Sequence, residues 1–165
     1  MEKVTYDLHT HSALSPCGDN DMTVNNMVNM AVLNGIRYLA VTDHNSCKNC
    51  PAAMKVAEAL PITVIPGMEL CTSEEVHVVC LFPTLESAMD FDKVVHDALP
   101  PIQNRPEIFG EQRVLNELDE PVGEEPYLLI NAIISDKTGA GTREEPLRVL
   151  AKEQDTCCAD IFLSF

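Results

Sequence analysis

Apolar residues recur along the chain in two alternating rhythms, of period two and of period 3.6. Val4–Leu8 alternates as a strand does and runs into His9-Thr10-His11. Ser12–Asp21, with Pro16 and Gly18, reads as a loop. From there the spacing becomes helical: Val24, Met27, Met30, Ala31 and Leu33 fall on one stripe of a helix through Asn34. Thr23 fits its N-cap, and Gly35 fits the position just past its end. Tyr38–Thr42 is a short buried strand, and Ala52–Leu60 is a second helix with Pro51 near its first turn. Ile62–Ile65 is the next strand, and Pro66-Gly67 is expected to turn the chain towards Glu69. After a turn at Thr72–Glu75 come a strand, Val76–Phe82, and an amphipathic helix, Leu85–Leu99, stopped by Pro100-Pro101.

This order predicts a mostly parallel α/β sheet or part of a β/α barrel. Beyond Pro100 the rhythm fades. Gln103–Glu125 is polar and acidic and reads as a long surface segment, Tyr127–Ile130 as one more strand, and Glu145–Lys152 as a short helix. The residues after about Ala132 carry no other recognisable pattern.

Composition narrows the function. A chain of 165 residues with 45% hydrophobic residues suffices for one domain with a real core. The net charge of -15 shows no basic footprint for nucleic acid and repels phosphate at long range. A phosphate ester would therefore need a bound cation at the site. The opening MEKVTYDLHTHS has no apolar export core and no run spans a bilayer, so the chain is read as cytoplasmic and its seven cysteines as free thiols. Cys71 and Cys80 read as small buried hydrophobes. Cys47-x-x-Cys50 has no second CxxC to complete a zinc site, and reads as a loop feature rather than a redox pair.

The candidate chemistry lies at the strand ends. His9 and His11 follow the first strand, His44 the second and Glu69 the third, and His77 opens the fourth. In parallel α/β folds the carboxyl ends of the strands converge on one rim. Residues two apart on a strand share a face, so His9 and His11 can grip one ion from the same side. Asp7 is placed to orient an imidazole, and Asp43 to support His44 by hydrogen bonding. Glu69, charged at the end of a buried strand, needs a partner and can bridge two metals. The fifth histidine, His96, lies within the Leu85–Leu99 helix and reads as solvent-facing.

The stretches D-L-H-T-H-S, S-P-C-G, A-V-T-D-H-N, I-P-G-M-E-L and E-V-H-V-V-C-L-F resemble, in order and spacing, the polymerase-and-histidinol-phosphatase (PHP) family. The resemblance covers roughly the first half of the chain. It implies a distorted β/α barrel, here incomplete, that binds two to three divalent ions (manganese, zinc or iron) and hydrolyses phosphoesters. It further implies that His9, His11, His44, Glu69 and His77 are metal ligands. All of these but His77 are also expected to act in catalysis. The family's usual loop ligand is missing from Ser15-Pro16-Cys17-Gly18; Cys17, Asp19 or Asp21 can replace it, with Asp19 ranked first. The family's later ligands, in Ala-His-Pro and Asp-x-His, have no counterpart, since no histidine follows His96.

These observations divide the chain into a PHP-like metal-binding α/β domain, 1–131, and an atypical tail, 132–165. The expected substrate is a phosphorylated small molecule or nucleotide, with turnover reduced by the missing ligands and self-association through open strand edges. The alternatives are an amidohydrolase-type C–N hydrolase and a non-catalytic metal-binding fragment.

Overall fold

A computed structural model of the chain describes residues 4–73 and 75–131. Its main sheet has the order β1 (Tyr6–Thr10), β2 (Tyr38–Val41), β3 (Thr63–Cys71), β4 (His77–Leu81). Helix α1 (Val24–Leu33) joins β1 to β2, α2 (Cys50–Ala57) joins β2 to β3, and α3 (Leu85–Ala98) follows β4. The first two strand pairs are parallel and β3–β4 is antiparallel. The connections dictate this. A parallel pair needs a crossover, which α1 and α2 provide, whereas the few residues between β3 and β4 allow only a reversal. The fold is mixed α/β, and among the described residues the sheet stays open, with β1 and β4 at its edges, as an incomplete barrel.

Thr23 caps α1, its hydroxyl accepting the N–H of Asn26, and Val24, Met27, Val28 and Ala31 form the buried stripe. Met30 and Leu33, placed on that stripe by spacing, are exposed. The apolar pattern was wider than the face the sheet could cover. Helix α2 starts at Cys50 and ends at Ala57, shifted towards the N-terminus from the expected span. Thr84 caps α3, which buries Ala88, Phe91 and Val95 together with the charged Asp92. The Asp92 carboxylate accepts the Ser46 hydroxyl and the Cys47 N–H, and so anchors the loop after β2.

Pro66-Gly67 does not turn the chain. β3 is one strand of nine residues; Thr63–Pro66 pair with β2 and Gly67–Cys71 with β4, so the dipeptide marks a change of partner. Gly67 is needed for close approach: a Cβ there would lie 2.8 Å from the Thr42 methyl and 2.9 Å from the Cys80 carbonyl oxygen.

The expected surface segment 103–125 is partly structured. It holds a short helix, α4 (Pro106–Phe109), and a hairpin, β5 (Arg113–Leu115) with β6 (Pro121–Glu124). Gln112, Leu115 and Glu125 are buried. Tyr127–Ile130 forms no strand, only an isolated bridge between Gln103 and Tyr127. Side-chain amides hold this stretch instead. Gln112 donates to the carbonyls of Glu125 and Tyr127 and accepts the Leu129 N–H, while Asn45 donates to the carbonyls of Leu129 and Asn131. The proposed tail and the Glu145–Lys152 helix lie outside the described residues. No helix among the described residues is long and apolar enough to cross a membrane.

Candidate metal centre

Glu69 is the hub. It lies inside β3, buried, with backbone links to the loop after β2: its N–H donates to the Asp43 carbonyl, and its carbonyl accepts the Asn45 N–H. This brings His44 alongside it, while the parallel β1 delivers His9 and His11 and the antiparallel β4 delivers His77. The Glu69 Oε2 atom lies 3.0 Å from Nε2 of both His9 and His11 and 3.4 Å from His44 Nδ1. Oε1 lies 2.8 Å from His77 Nδ1. The four histidines and the carboxylate of the strand ends are therefore brought together.

The hydrogen bonds behind the rings decide what this cluster can hold. Asp43 is fully buried and accepts three bonds: the Ser12 N–H at 2.7 Å, the Ser12 hydroxyl at 2.6 Å and the Ser15 hydroxyl at 2.7 Å. The Ser15 proton is thereby committed, and its oxygen is left to accept from His11 Nδ1 at 3.0 Å and from the His44 N–H at 3.1 Å. A neutral His11 thus carries its proton on Nδ1. Its Nε2 lone pair faces the Glu69 carboxylate and, at 3.2 Å, His9 Nε2. Two acceptors facing one another are relieved by a proton or a metal cation between them. Ligand nitrogens about 2.0–2.1 Å from a tetrahedral ion stand about 3.3 Å apart, which the separations among these atoms approach. The donor set fits a divalent metal.

Burial alone would raise the Glu69 carboxyl, but the imidazoles around it, His11 and His9 first, then His44 and His77, hold it well below the usual carboxylate range when their ring nitrogens carry protons, the role a bound cation would take over. Burial lowers His44 to about 4; the nearby Glu69 charge opposes this and the neighbouring imidazoles reinforce it, so the ring is neutral and free to ligate. Burial raises Asp43 against its serine bonds, so the position carries a real desolvation cost.

Three groups of side chains are each compact enough to hold an ion: His9 with His11 and Glu69, His11 with Cys17 and His44, and His44 with Cys71 and His77. Asp19 is in none of them. Its carboxylate accepts the Asp21 N–H at 2.9 Å, closing a local turn, and the loop group that reaches the cluster is Cys17. Gly18 permits that loop, since a Cβ there would lie 2.2 Å from the Ser12 carbonyl oxygen. Asp21 and Asp7 line a groove beside α1 with Met27 and Met30. Asp7 accepts the backbone N–H of His9 at 3.3 Å, so ring orientation rests on Ser15 and Asp43 instead.

A model of the PHP domain matches residues 7–153. The chain belongs to the PHP domain family. Its similarity to the 5'-3' exoribonuclease Rnm of Salmonella typhimurium is 36% identity over 83 residues, 47% of this chain and 27% of that protein. Two solved structures are similar. One is from Bifidobacterium adolescentis, a protein whose assignment as a metal-dependent phosphoesterase is provisional (TM-score 0.45, 20% identity, 59% of this chain and 34% of that one). The other is an amidohydrolase from Chromobacterium violaceum (TM-score 0.47, 26% identity, 58% and 34%). This PHP chain thus spans about a third or less of the length of each.

Two parts of the PHP chain's centre escape a reading by residue type. Ser12 and Ser15 look like ordinary loop residues, and only the fold brings them to Asp43. Cys71 is a ligand candidate rather than mere core, and the signal was present: it stands two residues after Glu69 on one strand. The Cys47 and Cys50 thiols are buried and donate to the Gly67 carbonyl at 3.3 and 3.6 Å. The hydrogen bond to Cys50, together with burial, pushes the Cys47 thiol well above its ordinary value, so it offers no reactive thiolate. His96 is only half exposed; its Nδ1 lies 3.7 Å from the Glu125 carboxylate, and the ring stands beside Tyr127.

Proposed function

We propose that this chain carries the metal-dependent phosphoester-hydrolysing centre of a PHP protein, with His9, His11, His44, Glu69 and His77 as its ligands. The observation that carries the reading is the His11 Nε2 lone pair held against the Glu69 carboxylate by the Ser15–Asp43 pair behind it. With His11 neutral, two buried acceptors face each other at a cost that a bound cation would relieve. A divalent ion held there would polarise a phosphoryl oxygen and acidify an attacking water.

The chain's own residues have distinct tasks. Glu69 would offer carboxylate oxygens to the bound metal, since its Oε2 faces His9, His11 and His44 and its Oε1 faces His77. The Asp43–Ser15 pair holds His11 in one tautomer. The half-exposed His9 and His77 leave the mouth open to a phosphate group. With a net charge of -15, attraction for that phosphate must come from the bound ions. The activity printed for the Salmonella relative makes a nucleic-acid phosphodiester a natural substrate to try beside a nucleotide or sugar phosphate. In the 165 residues given no histidine follows His96, so slow turnover is the expectation for this chain assayed by itself. Displacing a reacting group by about 1 Å can cost on the order of a hundredfold in rate.

The test is the purified chain, loaded in turn with manganese, zinc or iron, assayed on p-nitrophenyl phosphate, nucleotides and a short oligoribonucleotide beside His9→Ala. Slow phosphoester hydrolysis, abolished by the substitution, is expected. Hydrolysis of a hydantoin or amide with phosphoesters untouched would move the centre to C–N chemistry.

A further inference from the structure

The sulfur side of the cluster carries an inference that rests on the metal-centre reading but goes past its ligand set. Glu69 and Cys71 leave the same face of β3, and the strand register sets His77 opposite Cys71. Cys71 is buried at 1% exposure. Its Sγ lies 3.5 Å from His44 Nδ1 and 3.7 Å from His77 Nε2. Sulfur and nitrogen bound at about 2.3 and about 2.0–2.1 Å to one tetrahedral ion stand about 3.6 Å apart. A thiol has one proton, so without a metal both contacts can be hydrogen bonds only if one ring donates to the sulfur, which is a weak acceptor. His77 is set up as a ligand. Its Nδ1 lies 2.8 Å from Glu69 Oε1; the N–H donated there turns the Nε2 lone pair towards the sulfur. Carboxylates orient metal-bound imidazoles in just this way.

We propose that Cys71, His44 and His77 form a thiolate–imidazole ion position on one flank of the centre, selective for a thiophilic divalent ion of the zinc class over manganese or magnesium. Softness gives the preference: thiolate favours zinc, whereas carboxylate and water suit manganese and magnesium. As the ion binds, the Cys71 S–H bond breaks, the sulfur electron pair goes to the metal and the proton goes to solvent. No oxidant or reductant is involved.

Cobalt(II), a spectroscopic substitute for zinc, tests this on the full chain stripped with a chelator. Visible d–d bands with a near-ultraviolet sulfur-to-cobalt charge-transfer band are expected. In Cys71→Ser the charge-transfer band disappears while d–d bands remain, and excess manganese displaces cobalt at least tenfold more readily than from the parent. In Cys17→Ser the band persists. Far-ultraviolet circular dichroism checks the fold of each variant. Should Cys71→Ser fail to fold, His77→Ala, at a half-exposed position, decides: a shifted or weakened band supports the site and an unchanged one overturns it. d–d bands without charge transfer in the parent would overturn the sulfur ligand and leave the metal centre standing. No d–d bands at all would remove the metal centre itself. A band that survives Cys71→Ser but vanishes in Cys17→Ser would assign the sulfur to the loop and refute the proposal.

Discussion

Asp43→Asn is a change of one atom in the support of the centre, and its cost can be worked from the hydrogen bonds. Asp43 Oδ1 accepts from the Ser12 N–H and the Ser15 hydroxyl, and Oδ2 from the Ser12 hydroxyl. With the amide oxygen in place of Oδ1, the first two bonds survive in weaker, uncharged form. The amide nitrogen then faces Ser12 Oγ, which already accepts from the Leu14 N–H at 3.2 Å and Asn49 Nδ2 at 2.8 Å. Three donors then crowd one oxygen, and the Ser12 hydroxyl proton loses its acceptor. A stranded buried donor costs roughly 1–3 kcal/mol, and a lost bond to a charged group is worth roughly 1.5–3 kcal/mol. Relief from burying the charge offsets part of this, leaving a net loss of about 3 kcal/mol. The measurement is equilibrium urea denaturation of the metal-free protein. Because the Ser12 hydroxyl is the stranded group, Asp43→Asn with Ser12→Ala should cost less than the sum of the two single changes. A variant within about 0.5 kcal/mol of the parent, or strict additivity, would refute the assignment of donors and acceptors. Metal affinity offers a second readout, since losing such a supporting bond typically weakens it about 10–100-fold.

Divalent metal should raise the melting temperature, because it binds the folded cluster preferentially; saturation at about a hundred times Kd adds about 2.7 kcal/mol, and an unchanged melting curve across a zinc or manganese titration would count against a preformed centre. The metal-free protein should lose stability in acid. His44 is lowered from 6.5 to about 4, so the folded state binds fewer protons than the unfolded one; its contribution is complete above pH 6.5 and disappears as pH falls towards 4, a loss of about 3 kcal/mol readable as a falling denaturation midpoint. Glu69, also depressed, acts in the same direction lower in the pH range. Asn45→Ala removes the amide that ties the loop after β2 to Leu129, Asn131 and the Cys71 N–H, and places alanine at φ 47°; a loss of roughly 3 kcal/mol and weaker metal binding are expected.

Much of this protein is settled by residue order alone. The period of the apolar residues located α1, α2, α3 and the four sheet strands, because burial of one face leaves its rhythm in the chain. Placement at the end of β1 and after β2 singled out His9, His11 and His44, because a β/α order aims such ends at one rim; Glu69, inside β3, and His77, at the start of the antiparallel β4, join them through strand register. Tertiary structure decided the rest. Pro66-Gly67 looks like a turn, yet β3 continues through it, since β4 offers the backbone partners that β2 no longer supplies. The polar stretch 103–125 looks like surface, yet Gln112 and Glu125 are buried, because the Gln112 amide satisfies three backbone groups and Glu125 pairs with Lys48. Asp19 looked the better loop ligand by chemistry, yet its carboxylate accepts the Asp21 N–H, and it is the Cys17 sulfur that lies within reach of His11 and His44. Cys71 reads as a hydrophobe until the register of β3 and β4 sets it opposite His77. Periodicity carries the shape of an element and the face it buries; which groups meet across elements depends on register and loop path, set by packing among residues far apart in sequence.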